Sequence, residues 1–298
     1  MIIKSVGTMR MTTNKTSLSR LTKVRHRNEL NSTLSTLPMA AKKVLFLAMC
    51  QINSKNEFDD DHIFYVTVAD YIKWVQVKPD AAYLALRDGS NILDTTLLKL
   101  KHDEILELSS DLGFKFTKSN VPDSMNLSLT VFSTYYRNEG RVGIKFTKEA
   151  KRFLCKLIGE EKRYTTQVLL SVVRLTSVNA ASLYQLIRKI YSNNSRANSF
   201  EMTIDELKDE LNLYTIGARG VNDYKSPDYP AFKRDVLNKS VKEIMKHTEV
   251  KNLSFVVSEK IGRKVYKLKF SYTIGYEGDT REDSEFTNMF DKMYPPEN

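Results

Sequence analysis

The side chains with most to offer chemically cluster between residues 229 and 270. Lys233, Arg234, Lys239, Lys242 and Lys246 share one helical stretch with only Asp235 and Glu243. The apolar residues of that stretch, Phe232, Val236, Leu237, Val241, Ile244 and Met245, recur at helical spacing. They can therefore bury, leaving the cations with Asn238 and Ser240 on the other faces. Such a face suits a polyanion. Arginine pairs with guanine through two hydrogen bonds and asparagine does the same with adenine, so Arg234 and Asn238 are the candidates for reading bases. Further on, Lys260, Arg263, Lys264, Lys267 and Lys269 gather about Gly262, and cations at a hairpin tip suit phosphate contact. In the first half the equivalent helix offers Lys78, Tyr83, Arg87, Ser90 and Asn91. That set is polar but less basic, and it is expected to contribute less binding energy.

Other chemistries lack their parts. A nicking enzyme of the rolling-circle type needs a tyrosine beside a metal held by closely spaced histidines. His26, His62, His102 and His247 stand far apart, and Tyr135-Tyr136 lies in a strand-like run where aromatics pack. Asp59, Asp60 and Asp61 read as a loop cluster rather than a metal site. With no Gly-rich phosphate loop, ATP binding is not indicated. Cys50 and Cys155 sit in apolar stretches without paired spacing, as free thiols in a reducing compartment do. The expectation is no catalytic residue, no metal and no cofactor.

A length of 298 residues suggests two domains, and a formal net charge of +10 favours nucleic acid as partner. No segment reads as a signal peptide or membrane span, so a cytoplasmic protein without membrane contact is expected. Residues 1–28 hold seven basic and no acidic side chains and read as a mobile or partly ordered basic arm. Residues 277–298 invert that sign and read as a disordered acidic tail held away from DNA.

Between these ends the same plan occurs twice. LPMAAKKVLFLAMCQI (37–52) is a core helix opened by Pro38. Thr67, with Asp70 three residues on, caps a short helix, and Pro79 opens a longer one through residue 100, with Gly89 as a bend. LSLTVFSTYYR and RVGIKFT then form a hairpin about Asn138-Glu139-Gly140. In the second half come one or two helices over 165–193, a short capped helix over 202–213, a helix over 231–247 and a hairpin about Ile261-Gly262. FYVTVADYIKWVQV from Phe64 registers without a gap on FEMTIDELKDELNL from Phe200, an offset of 136 residues. The pattern predicts an α+β, mainly helical chain of two tandem winged-helix domains, residues 29–158 and 159–276.

The strings KVRHRNELNSTL (23–34), SLYQLIRKIYSN (182–193) and YPAFKRDVLNKSVKEI (229–244) resemble the pi-type branch of iteron-binding plasmid replication initiators, a group that includes the RepE and RepA initiators. The resemblance runs from about Lys23 to Tyr272. It implies a monomer gripping one origin iteron of double-stranded DNA through both domains, with the second as the main base reader. It further implies a homodimer formed through the N-terminal domain that represses its own gene at an operator. Cooperation with host DnaA and recruitment of the replicative helicase are implied in the same way. Alternatives are a dedicated winged-helix transcriptional repressor, a nicking initiator, and an RNA-binding or assembly protein.

Overall fold

The computed structural model describes residues 22–110, 112–157, 163–194, 196–216, 222–226 and 228–275. The first part of the chain contributes β1 (Lys23–Arg27), α1 (Leu30–Thr36), α2 (Met39–Met49), β2 (Phe64–Thr67), α3 (Val68–Val75) and α4 (Pro79–Asp94). It continues with β3 (Leu97–Lys101), α5 (His102–Leu108), β4 (Ser124–Ser128), β5 (Thr130–Tyr136), β6 (Arg141–Phe146) and the single turn α6 (Lys148–Lys151). The second part runs β7 (Tyr164–Val168), α7 (Leu169–Arg174), α8 (Val178–Asn193), β8 (Ser199–Thr203), α9 (Ile204–Glu210), β9 (Tyr214–Ile216) and β10 (Asn222–Tyr224). It ends with α10 (Tyr229–Phe232), a π-helical turn over Lys233–Leu237, α11 (Asn238–His247), β11 (Val250–Ile261) and β12 (Lys264–Ile274).

The duplication is real in three dimensions. In the first half β2 leads into α3, α4 follows, and β5–β6 form the hairpin, with β2 pairing antiparallel to β6 in the order β2-β6-β5. In the second half β8 leads into α9, the helix through α11 follows, and β11–β12 form the hairpin, with β8 pairing to β12 in the order β11-β12-β8. Each is the winged-helix arrangement of a helix pair followed by a hairpin wing. Even the small devices repeat at the predicted offset. Thr67 and Asp70 close a capping box on α3, and Thr203 and Glu206 close one on α9. Gln76 and Asn212, again 136 residues apart, both stop their helices in the left-handed region, at φ 60° and 55°. Gly140 and Gly262 take positive φ at the two wing tips.

Several expectations need correction. Residues 23–27 of the basic arm are not a mobile arm but strand β1, paired antiparallel with β7. Val24 and His26 are buried there because alternate residues of this strand face the core, and Arg27 is buried as well, with its Nη2 3.0 Å from Glu29 Oε1. Residues 1–21 lie outside the described residues, as do 276–298, where the acidic tail was expected. The long helix from Pro79 ends at Asp94, and 97–101 is strand β3, hydrogen-bonded to β4. Leu98 and Leu100 bury while Leu97, Lys99 and Lys101 do not, a period of two rather than of helix. Gly89 is not a bend. A Cβ there would lie 3.0 Å from the carbonyl oxygen of Ala40 and 3.0 Å from Val44 Cγ2, so glycine lets α4 lie against α2. Residues 164–168 are strand, not helix, because β1 supplies them a partner.

The buried apolar side chains of both halves form one cluster that runs through Leu45, Phe46, Tyr184, Ile187, Leu237 and Phe270. Where α1, β7 and α8 meet, the packing turns polar. Asn31 Nδ2 donates to Thr165 Oγ1 at 3.0 Å, Thr165 Oγ1 donates to Asn28 Oδ1 at 2.8 Å, and Gln185 Nε2 donates to the Asn31 carbonyl at 2.9 Å. Among the described residues no helix is long and apolar enough to cross a membrane.

Candidate nucleic-acid interface

The candidate reading helix of the second half is built by its buried side. Phe232, Leu237 and Ile244 are fully enclosed and Val236 and Val241 nearly so, which turns Lys233, Arg234, Asn238, Lys239, Lys242 and Lys246 outward. Met245 departs from the expected apolar face and is 38% exposed, while Ser240 is buried rather than displayed. The chain begins this helix at Tyr229, with Pro230 in the first turn, where a missing N–H costs nothing. The π turn over Lys233–Leu237 places one extra residue in the turn that carries Arg234, a device common at functional positions. No periodicity in the sequence announced it.

Arg234 is occupied locally. Its Nη2 lies 2.7 Å from Asp235 Oδ2, and Lys239 Nζ lies 3.5 Å from Asp235 Oδ1. The hydrogen bond from Arg234, with Lys239 adding to it, holds the Asp235 carboxyl below its ordinary range. An exposed pair of this kind is worth little, so phosphate or guanine can take the guanidinium over at small cost. Lys233, Lys242 and Lys246 have no acidic partner among the described residues.

Behind this face, Glu243 fixes the helix in place. Its Oε1 accepts hydrogen bonds from Thr176 N at 2.5 Å, Thr176 Oγ1 at 2.9 Å and Ser177 N at 3.1 Å, at the start of α8. Two residues past the helix, Glu249 is buried with Tyr184, Ser171 and Arg188. Tyr184 donates to it at 2.9 Å, Ser171 at 2.5 Å, and Arg188 Nη1 lies 3.2 Å away. Burial, reinforced by the Glu249 charge, drives the Tyr184 hydroxyl pKa well above its ordinary value, so it stays a donor. In the sequence Glu243 reads only as a charge diluting a basic helix, and nothing there marks Glu249. A carboxylate on a basic helix was the one available signal.

The second wing is long and leaves its tip in solvent. Lys260, Arg263 and Lys264 are exposed without an acidic partner among the described residues, whereas Lys267 pairs with Glu259 at 2.9 Å and Lys269 lies 3.8 Å from Glu201. The wing cations thus divide into a free tip and a neutralised base.

In the first half, Lys78, Tyr83, Arg87 and Asn91 are all exposed, and 83, 87 and 91 recur every four residues on one face of α4. Arg87 is tied to Asp88 at 3.0 Å, as Arg234 is to Asp235. The Tyr83 ring stands beside the wing tip, 3.5 Å from where a Cβ on Gly140 would lie. Ser90 does not join this face. It is fully buried and shares a 3.1 Å hydrogen bond with Ser133 of β5.

The remaining candidates have structural partners. Tyr135 packs on the core, and Tyr136 with Tyr65 flanks the Arg141 guanidinium at 5.5 and 4.1 Å. Asp60 and Asp61 pair with Lys151 and Lys145 at 2.8 and 2.7 Å. Burial pushes the Cys50 and Cys155 thiols up to about 12 and about 11, which makes them poor nucleophiles.

Two winged helices in tandem, each with a polar or basic helix face beside a wing, define a two-domain DNA-binding protein. Comparison with known proteins narrows the class. Residues 23–188 match the family described as Initiator Replication protein, WH1, and residues 203–272 match Initiator Rep protein, WH2. The chain belongs to this family of replication initiators. It is 39% identical over 292 residues to the PI protein of Escherichia coli, covering 94% of this chain and 96% of that one. Among solved structures it is similar to that described as Pi initiator protein in complex with iteron DNA, at 40% identity and a TM-score of 0.79. That match covers 87% of this chain and all of the other. The pi-type resemblance, the two winged helices and the replication-initiator reading expected from the sequence are thereby supported.

Proposed function

We propose that this chain initiates plasmid replication by binding iteron repeats at the origin as a monomer, with both winged helices on one repeat. The observation that carries this is the pair of equivalent helix faces, Tyr83-Arg87-Asn91 on α4 and Arg234-Asn238-Lys242 on the longer helix, each set beside its own wing. A crystallised relative of 40% identity holds iteron DNA, according to its description. In this reading Arg234 and Asn238 read base edges. Lys233, Lys239 and Lys242 hold phosphate around them, and Arg263 and Lys264 hold phosphate from the wing. Lys78, Tyr83, Arg87 and Asn91 make the lesser contacts of the first domain.

The finer assignments follow the family resemblance. The first domain, residues 29–158, also carries the homodimer contact, and dimers repress the gene at its own operator. The second domain, 159–276, is the main reader, although β7 and α8 are shared structurally with the first through β1 and α1. Host DnaA and the replicative helicase complete origin opening in the cytoplasm, with no catalytic residue supplied by this chain.

Fluorescence anisotropy with a duplex from the repeats beside the encoding gene tests the reading against a shuffled duplex of equal length. A preference of roughly 10³-fold or more for the repeat at physiological salt is the expected result. Equal affinity for both duplexes removes sequence-specific initiation, and tighter binding to RNA or to no nucleic acid points to an assembly protein.

A further inference from the structure

The dipeptide Arg-Asp occurs twice in the chain, at 87–88 and at 234–235, and the two copies fall on the two candidate reading helices. Both side chains of each copy are open to solvent. In the second copy Arg234 Nε lies 3.2 Å from Asp235 Oδ1 and Nη2 lies 2.7 Å from Oδ2. The carboxylate therefore grips the guanidinium from the side, through two roughly parallel hydrogen bonds. In the first copy Arg87 Nε lies 3.0 Å from Asp88 Oδ1.

A side-on grip leaves the other end of the guanidinium free. Arginine donates from Nε and from both Nη nitrogens. With Nε–H and the inner N–H of Nη2 on Asp235, both N–H groups of Nη1 and the outer one of Nη2 remain. These form the end-on fork that fits guanine N7 and O6. Asp235 thus sets the plane of the fork without using it up. Phosphate is a different ligand for the same fork, because it carries charge. Its oxygens would come to rest well inside the Debye length of about 10 Å from Asp235, where repulsion is little screened. A guanine edge is neutral and meets no such repulsion. The pair is weak in itself, but its opening does not remove the carboxylate, which stays on the adjacent residue in the same π turn.

We infer that Asp235 is a positioning residue that determines specificity, presenting Arg234 end-on to guanine and disfavouring its use by phosphate. This rests on the reading of Arg234 as a base contact and deepens it. The consequence is that the most exposed arginine of the helix adds little to the grip on random duplex, which is held by charge alone.

The test is a double-mutant cycle in the full chain, with Arg234→Ala and Asp235→Asn made singly and together. All four chains carry Lys239→Ala, because Lys239 Nζ lies 3.5 Å from Asp235 Oδ1 and would otherwise be released as well. Asp235→Asn keeps the shape of a solvent-open side chain, so the fold is not at stake. Binding is measured across salt to the repeat, to repeats with single base pairs replaced, and to a random duplex. Asp235→Asn alone is expected to tighten random-duplex binding about threefold and to steepen the slope of log K against log salt by about one, as Arg234 takes up a phosphate. Discrimination at the base pair read by Arg234 should fall about tenfold. With Arg234→Ala present, Asp235→Asn should neither steepen the slope nor cost further discrimination. Full discrimination retained by Asp235→Asn overturns the proposal. So does an equal steepening in both backgrounds, which means general repulsion of DNA by the carboxylate. Both results leave Arg234 as a base reader so long as Arg234→Ala alone relaxes one base pair, whereas equal losses on all duplexes from Arg234→Ala remove that reading and the proposal with it.

Discussion

Glu243 accepts a hydrogen bond from the backbone amide of Thr176 at 2.5 Å, which ties the inner side of the reading helix to the start of α8. The helix proposed to read DNA is therefore oriented by a carboxylate on its inner side. Glu243→Ala leaves the amides of Thr176 and Ser177 without this acceptor and should lower unfolding stability by about 1 kcal/mol, as loss of a cap does. Affinity for the repeat should fall with an unchanged slope of log K against log salt, since no phosphate contact is removed. A change of slope by about one charge would mean that Glu243 faces the DNA instead.

Gly89 separates two expectations of opposite sign. By helix propensity, Gly89→Ala should stabilise α4 by about 1 kcal/mol. The added Cβ, however, meets the Ala40 carbonyl and Val44 at 3.0 Å, and the carbonyl cannot swing away as a flexible side chain would. Net destabilisation of about 1–3 kcal/mol is expected in denaturant unfolding. A stabilised variant would show that α2 and α4 do not lie this close.

His26 makes stability depend on pH. It is fully buried, its Nδ1 sits 3.0 Å from the Arg27 carbonyl and its Nε2 3.1 Å from Gln167 Nε2. The carbonyl can only accept, so Nδ1 carries the proton and Nε2 accepts from the glutamine. Burial lowers the pKa from 6.5 to about 4, the carbonyl hydrogen bond opposing only part of that. The unfolded imidazole therefore binds protons between these values while the folded one stays neutral. Stability is full above 6.5 and is lost as pH falls toward 4, by about 2 kcal/mol at pH 5. Urea unfolding of the parent and of His26→Gln at pH 7.5 and 5 measures this, and an equal loss in both chains would assign it to another group.

Arg234 and Lys264 should fail differently. Arg234→Ala is expected to cost roughly 1–3 kcal/mol on the repeat and to relax preference at one base pair, while Lys264→Ala should weaken all duplexes alike and reduce the salt slope by about one. Competition against a panel of single-base-pair variants distinguishes them. Equal losses on specific and random DNA would reassign Arg234 to phosphate, and an unchanged slope for Lys264 would take the wing out of the interface.

Features carried by local chemistry were legible in the sequence. The capping threonines, the prolines that open helices and the glycines at both wing tips act within a few residues, so they were readable one stretch at a time. The exposed cations of the reading helix followed from its apolar period for the same reason. Features that depend on a distant partner were not legible. KVRHR is strand because YTTQV pairs with it, LLKLK because β4 does, and Ser90 is buried because Ser133 reaches it across 43 residues. Glu243 and Glu249 read as ordinary charges until the fold set Thr176, Tyr184 and Arg188 against them.

The central claim is that two equivalent helices read one repeat in successive major grooves. Dimethyl sulfate protection of the repeat by the monomeric protein tests it most directly, because the reagent methylates guanine N7 in the major groove. Two clusters of protected guanines about one helical turn apart are predicted, with Arg234→Ala releasing a guanine in only one of them. A single protected cluster, or protection that Arg234→Ala leaves intact in both, would contradict it.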